Sequence, residues 1–210
     1  MDPVAWDGTL LHALPKMVWA LWLDDEHHAA KMHLQFNLVK GAPQKAILTA
    51  ANAQERRVLA EHLTEKMLYV LDRGYEDFQL MRQIINAGSS FLTRVRTTIN
   101  PTVLEVHPLG QQARKAGVYE DSIVHLGSRN HPQVRDVPLR LIKLRVPRSR
   151  PRSQTKGRRR RARPDSDEFY EDIHLATDLL ICSCHDVGVT APPARGWWRA
   201  AQRRATAGLG

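Results

Sequence analysis

Two short apolar segments of the chain each run directly into an aspartate. Residues 4–6 lead into Asp7, and the unbroken apolar run 67–71 leads into Asp72. Runs of this length are typical of β-strands. Strands and a helix are predicted between the two segments, so both strands can lie side by side in one sheet and present their carboxylates at the same edge. This feature favours an α/β fold over an all-α or all-β one.

Further segments show strand or helix patterns around these two. Strands are predicted at residues 17–23, 33–38, 46–50, 91–96, 102–106, 123–126, 137–146 and 172–178, and amphipathic helices at 55–63 and 76–87. The texture divides the chain into a core at 1–100, a β-rich insertion at 101–146, a basic disordered loop at 147–166, a return strand at 167–180, and an unpatterned tail at 181–210.

Positive charge is concentrated in one segment. The chain has 31 Lys and Arg against 22 Asp and Glu, and nine of the basic residues lie between Pro147 and Pro164, where no acidic residue occurs. The remaining 22 basic residues balance the 22 acidic ones. Such a segment favours a polyanion, with nucleic acid first and anionic lipid second. Its centre, Arg158, Arg159, Arg160 and Arg161, is the candidate DNA-binding stretch, and a solvated loop without a ligand is the alternative.

Composition also indicates a cellular context. The longest apolar run, 17–23, is too short to span a membrane, and the first residues carry no secretion signal. Cys182 and Cys184 are too few and too close for a disulfide framework, so a cytoplasmic location and no membrane partner are expected.

Paired carboxylates at strand ends can hold hard divalent cations, since Mg²⁺ is commonly bound by one or two carboxylates together with water and phosphate oxygens. The alternative is that Asp7 and Asp72 only cap the turns that follow them. Arg73 and Tyr75 come directly after Asp72 and are candidates for contact with a phosphate or a base. A turn arginine and a packed tyrosine are the alternative for these two.

The order of the segments resembles the catalytic domain of bacterial insertion-sequence DDE transposases. The likeness rests on Asp7-Gly8-Thr9, on the strand around 31–36, on Tyr69-Val70-Leu71-Asp72-Arg73-Gly74-Tyr75 with its following helix, and on the strand entry at 88–94. It implies an RNase H-like mixed sheet with flanking helices and a β-rich insertion. It further implies Mg²⁺ or Mn²⁺ bound by Asp7 and Asp72 as the catalytic residues, and DNA transposon ends as partner, with a homodimer left open.

The chain departs from the family pattern at the third acidic residue. The family has a glutamate after the insertion, within a Tyr, Arg, Glu and Lys signature that this sequence lacks. Glu171, Asp178 and Asp186 are the last acidic residues, and none is a convincing substitute. We therefore interpret the chain as a catalytically incomplete transposase, truncated at the front and frameshifted at the back. A non-catalytic remnant that binds DNA through its basic segment is the alternative, and an unrelated RNase H-like nuclease is a third.

Three other groups of residues invite a functional interpretation. His27, His28 and His33 suggest a metal site, but surface or structural histidines are favoured. Cys182 and Cys184 resemble half of a zinc site, and the tail's two tryptophans at 197–198 could stack on bases. We expect no role for these cysteines or tryptophans.

Overall fold

A computed structural model describes residues 1–12, 29–127, 132–147 and 170–180. Nine strands form a single sheet in the order β3-β2-β1-β4-β5-β9-β8-β7-β6. The strands are β1 (Asp2–His12), β2 (Ala29–Asn37), β3 (Ala42–Ala50), β4 (Met67–Leu71), β5 (Ser90–Val95), β6 (Thr102–Val106), β7 (Val118–His125), β8 (Pro138–Pro147) and β9 (Tyr170–Thr177). The helices are α1 (Glu55–Glu61), α2 (Phe78–Asn86) and α3 (Gln111–Lys115), with short 3₁₀ helices at Arg73–Tyr75 and Pro132–Val134.

The first half of the sheet is mixed. β2 runs antiparallel to both β1 and β3, whereas β4 pairs parallel to β1, and β5 parallel to β4. Parallel neighbours need a crossover connection, and the chain supplies one with α2 between β4 and β5. The predicted α/β class with a mixed sheet and flanking helices is confirmed, and the architecture is consistent with the RNase H-like expectation.

The second half of the sheet is antiparallel. β9 pairs with β5 on one side and with β8 on the other, and β7 and β6 follow in turn. The region 101–146 therefore contributes three strands that continue the same sheet, joined to β5 through β9. The domain boundaries drawn from sequence texture stay a prediction.

Local sequence explains where α2 begins and ends. The Asp77 side chain caps its start by accepting a hydrogen bond of 2.9 Å from the Leu80 backbone N–H. Gly88, two residues beyond its end, has a φ of +69°, a conformation that glycine adopts without strain. Leu80, Met81 and Ile84 form the buried face of the helix.

The main core lies on the face of the sheet that carries α1 and α2. It contains the largest fully buried side chains, which include Trp6, Tyr69 and Phe91. A smaller cluster around Ile142 and Ile173 covers the other face, since successive residues of a strand point to opposite sides. This second face is therefore packed where β7, β8 and β9 lie. Within the described ranges, no helix is long and apolar enough to cross a membrane.

One sequence interpretation is wrong in its geometry. The strand that contains residues 4–6 does not end at Asp7, because β1 continues to His12 and pairs with β2 along its length. Asp7 is paired in register with Leu34, inside the strand. β4 and β6 are found at their predicted bounds, the other predicted strands within the described residues are found with shifted ends, and α3 was not predicted. The predicted strand 17–23, the basic loop and the tail lie outside the described residues, apart from the loop's first residue, Pro147.

Candidate active site

The two predicted aspartates belong to neighbouring parallel strands, Asp7 inside β1 and Asp72 directly after the end of β4. Val4 of β1 pairs with Tyr69 of β4, and Ala5 pairs with Val70. The same register carried two residues further sets Asp7 opposite Asp72. Adjacent strands are roughly 4.8 Å apart, and residues in register on parallel strands point to the same face. By this register the backbones of two residues that are far apart in sequence come to the same end of the sheet.

Asp72 sits where β4 gives way to the short 3₁₀ helix Arg73–Tyr75. Its Oδ1 accepts a hydrogen bond of 2.7 Å from the Gly74 backbone N–H, which caps that helix. A Cβ on Gly74 would lie 2.9 Å from the same oxygen, so a glycine suits this position. Asp72 is exposed and Asp7 is half-buried. The cap employs one carboxylate oxygen of Asp72 and fixes the orientation of the side chain.

Tyr75 is buried beneath this pair, with 2% of its surface exposed. Its hydroxyl donates a hydrogen bond of 3.2 Å to Oε2 of Glu55, the first residue of α1. Burial raises the pKa of the Tyr75 hydroxyl, and the negative charges of Glu55, Asp7 and Asp72 raise it further. Three carboxylates therefore act on one phenol, which places all of them in one neighbourhood.

Glu55 is a residue of this neighbourhood that sequence reasoning missed. Its Oε1 lies 3.2 Å from Nζ of Lys31, and a Cβ on Gly8 would lie 2.9 Å from its Cδ. It packs over the residue that follows Asp7. An acidic residue in the first turn of a helix is common for electrostatic reasons, so no sequence signal separated Glu55 from an ordinary helix start.

Arg56, the next residue of α1, also contacts the turn that follows Asp72. Its Nε donates a hydrogen bond of 3.0 Å to the Gly74 carbonyl, and its Nη1 lies 3.2 Å from Oδ2 of Asp77. A polar groove of about 710 Å³ opens here, lined by residues of both helices together with Lys31 and Gly74. The groove adjoins the turn that carries Asp72.

Arg73 and Tyr75, the two residues after Asp72 that were predicted to contact DNA, lie in different environments. Arg73 is exposed, so its guanidinium is accessible to a phosphate. Tyr75 is packed in the core, which favours the alternative left open for it. Arg158, Arg159, Arg160 and Arg161 lie outside the described residues, as do His27, His28, Asp186 and the cysteines and tryptophans of the tail.

The remaining acidic candidates are engaged elsewhere. Asp178 accepts a hydrogen bond of 2.8 Å from the Phe91 backbone N–H near the start of β5, whereas Asp72 lies near the level of its other end. Burial raises the pKa of the Asp178 carboxyl. Glu171 pairs with Arg94. Within the described ranges, no group of three or more His, Cys, Asp or Glu side chains is placed to hold a metal ion.

His33 lies in the core. It is fully buried, its Nε2 lies 2.9 Å from Oγ1 of Thr49, and its ring stacks on Trp6 with 6.4 Å between centroids. Burial lowers the pKa of the imidazole. The structural interpretation of this histidine therefore fits the environment in which it lies.

Comparison with known proteins identifies relatives of the chain. A family model described as the transposase DDE domain matches residues 2–182. No curated protein matches. A cryo-EM structure of a piggyBac transposase synaptic complex with hairpin DNA is similar over 87% of this chain and 34% of that chain, with 9% sequence identity and a TM-score of 0.44. The chain spans about a third of the length of that protein.

Proposed function

The chain belongs to the transposase DDE domain family, and we propose from that membership that it binds DNA and that Asp7 and Asp72 form its centre for metal-dependent cleavage and transfer of DNA strands. The observation that supports the proposal is the register of β1 and β4, because carrying the pairing of Ala5 with Val70 two residues further sets Asp7 opposite Asp72. Alone, either residue would be an ordinary strand or turn aspartate. Together they would offer a pair of carboxylates to a divalent metal ion, as the resemblance to the family implies.

Domains of this family use divalent metal ions, and the residues present fit such an ion. Asp7 and Asp72 supply hard oxygen donors, and Mg²⁺ is often held by only one or two carboxylates with water and phosphate oxygens completing its shell. Mn²⁺ accepts the same ligands. When bound, such ions activate the attacking water or hydroxyl and stabilise the leaving oxygen of a phosphodiester.

The chain's own residues hold this centre in place. Asp7 is fixed by its position inside β1, where both neighbours along the strand are paired to β2. Asp72 is oriented by the hydrogen bond from the Gly74 N–H. We propose that Arg73, which is exposed next to Asp72 in the sequence, contacts a DNA phosphate.

The basic segment is attached near the same edge of the sheet. Pro147 and Tyr170, which flank it, pair at the end of β8 and β9. Val95, the last residue of β5, pairs with His174. Tyr170 lies four residues before His174, so the paired ends of β8 and β9 extend roughly 13 Å past the end of β5, in the direction of Asp72. We propose that Arg158, Arg159, Arg160 and Arg161 contact the DNA backbone from there, without sequence preference and with strong salt dependence.

A second candidate function is DNA binding without catalysis. It is favoured by one observation: the part of the chain that the structure describes contains no third carboxylate grouped with Asp7 and Asp72 to hold a metal ion. Loss of one positioned catalytic group typically lowers the rate by orders of magnitude.

A homodimer remains a separate proposal. Light scattering of the purified chain would measure its oligomeric state.

The test is nicking of supercoiled plasmid by the purified chain with Mg²⁺ or Mn²⁺. Cleavage that disappears in Asp7→Asn and Asp72→Asn, while both variants still bind DNA, supports the catalytic proposal. The absence of cleavage in the unmodified chain, with DNA binding retained, supports the second candidate. Cleavage that persists in both variants would sink the assignment of the two aspartates.

A further inference from the structure

The start of α1 holds the Asp72 turn at two consecutive residues. Glu55 accepts the hydrogen bond from the Tyr75 hydroxyl, and Arg56 donates to the Gly74 carbonyl. Gly74 and Tyr75 are the second and third residues after Asp72. The start of α1 therefore hydrogen-bonds to the turn directly after Asp72. The position of Asp72 relative to β1 therefore depends on where α1 begins.

Glu55 is itself fixed by contacts on both carboxylate oxygens. Oε1 lies 3.2 Å from Lys31 Nζ, and Oε2 accepts from Tyr75. Lys31 is anchored in turn by a hydrogen bond of 3.2 Å to the Ala53 carbonyl. With a partner on each oxygen, the Glu55 side chain is held in one orientation.

The close contact with Gly8 completes the link to the other aspartate. The Glu55 side chain fills the space that a Cβ on Gly8 would need, one residue beyond Asp7. Glu55 thus touches β1 beside the first aspartate and holds, through Tyr75, the turn that carries the second. The Glu55 side chain therefore links the strand of Asp7 to the turn that follows Asp72.

We propose that Glu55 is a positioning residue, which acts through Tyr75 to keep the Asp72 carboxylate level with that of Asp7. The inference rests on the proposed function of the two aspartates. In this role Glu55 acts as a hydrogen-bond acceptor for Tyr75. For Mn²⁺ binding, the acceptor oxygen of Glu55 should therefore matter more than its negative charge.

Mn²⁺ binding to the full chain, measured by isothermal titration calorimetry, tests the proposal without requiring catalysis. Glu55→Ala and Tyr75→Phe should each weaken Mn²⁺ binding by roughly tenfold, as removal of a group that orients a metal ligand commonly does. The double variant should be no weaker than either single one, because both changes break the same hydrogen bond. Glu55→Gln should weaken binding less than Glu55→Ala does, since its amide oxygen can still accept from Tyr75, although its N–H₂ group then faces Lys31 Nζ.

Glu61→Ala is the matched control, because Glu61 lies on the same helix, is exposed and pairs only locally with Arg57 four residues earlier. It should leave Mn²⁺ binding unchanged. If Glu55→Ala does not fold, Tyr75→Phe and Glu55→Gln carry the test, and circular dichroism on each variant establishes folding.

The outcomes distinguish a wrong role for Glu55 from a wrong assignment of the metal centre. If Glu55→Gln weakens Mn²⁺ binding as much as Glu55→Ala, the charge and not the acceptor is responsible, and the positioning role is overturned. If Asp7→Asn and Asp72→Asn weaken binding but Glu55→Ala and Tyr75→Phe do not, only the inference fails. If the two aspartate variants bind Mn²⁺ normally, the proposed metal centre itself is wrong and the inference falls with it.

Discussion

Arg140 and Asp121 form a buried ion pair that joins β8 to β7. Nε of Arg140 lies 2.8 Å from Oδ1 and Nη2 lies 2.6 Å from Oδ2, so the contact is bidentate. Each side chain is only 4% exposed. Two parallel hydrogen bonds of this kind fix the direction of both side chains. The register of the two strands is thereby pinned in the antiparallel half of the sheet.

Asp121→Ala should destabilise the chain by about 3–5 kcal/mol, because it leaves a buried guanidinium without its carboxylate. Urea unfolding followed by circular dichroism measures the change. The double variant Asp121→Leu with Arg140→Met should recover much of the loss, since an apolar pair of similar volume avoids the cost of burying charge. If the free energy of unfolding of Asp121→Ala lies within about 1 kcal/mol of that of the unmodified chain, the pair contributes no more than an exposed ion pair does. That result would show that the pair is not buried in solution.

Gly8→Ala should disturb the Asp7 side of the centre. The new Cβ would lie 2.9 Å from Glu55 Cδ, and the Glu55 side chain is held by two partners that resist its displacement. We expect Mn²⁺ binding to weaken by roughly tenfold, as for Glu55→Ala. Titration calorimetry compares it with Gly110→Ala, whose Cβ would meet no atom within 4 Å. Gly8→Ala in the Glu55→Ala background should add little, and a further large loss there would contradict a clash with this side chain.

Asp178 should make the stability of the chain depend on pH. Burial raises the pKa of its carboxyl above the ordinary 3.8, so the folded chain binds this proton more tightly than the unfolded chain does. The resulting stabilisation is present below pH 3.8 and is lost as the pH rises through the folded-state pKa. Asp178→Asn, which can still accept from the Phe91 N–H, should be more stable than the unmodified chain at pH 7, and the difference should narrow as the pH falls.

Urea unfolding at several pH values between 4 and 7, on the order of one unit apart, measures this difference across the pKa range of a raised carboxyl. Asp136→Asn, at an exposed position, is the control and should show no such trend. A gap between Asp178→Asn and the unmodified chain that does not change with pH would contradict the assignment.

Replacing Arg158, Arg159, Arg160 and Arg161 by serine should weaken DNA binding without changing any sequence preference. The slope of the logarithm of the binding constant against the logarithm of salt concentration should fall by about 0.9 for each arginine that contacts a duplex phosphate. Fluorescence anisotropy with two unrelated duplexes at several salt concentrations measures both effects.

A second set of four substitutions, at exposed basic residues of the helices, controls for net charge alone. These are Arg57, Arg82, Arg114 and Lys115. If both sets lower the slope equally, overall charge and not the basic segment governs binding.

Sequence patterns predicted the elements whose signal is local. β4 was predicted with its observed bounds, because an apolar run of five residues ends sharply at Asp72. The end of β1 was misplaced because Asp7 and Gly8 resemble a turn, whereas pairing with β2 carries the strand through both. Tertiary pairing overrides local preference in such cases.

The site was predictable only in part for the same reason. Asp7 and Asp72 stand at recognisable strand positions. Glu55 reaches its partners Lys31 and Tyr75 through contacts that are 24 and 20 residues distant in sequence. No single-sequence periodicity reports such a contact. The helix register that buries Val58 and Leu59 also brings Glu55 to the sheet, but only the folded arrangement shows what it meets.

The position of β9 between β5 and β8 has a consequence for the order of assembly. Its residues, Tyr170–Thr177, are the last strand described, yet they occupy the middle of the sheet. During synthesis, β1 to β5 can pair before β9 exists, and so can the β6 to β8 meander. Each then carries an open strand edge until Thr177 has emerged, and open edges invite pairing with other chains. Joining the two halves is a late, non-local step, of the kind that slows folding.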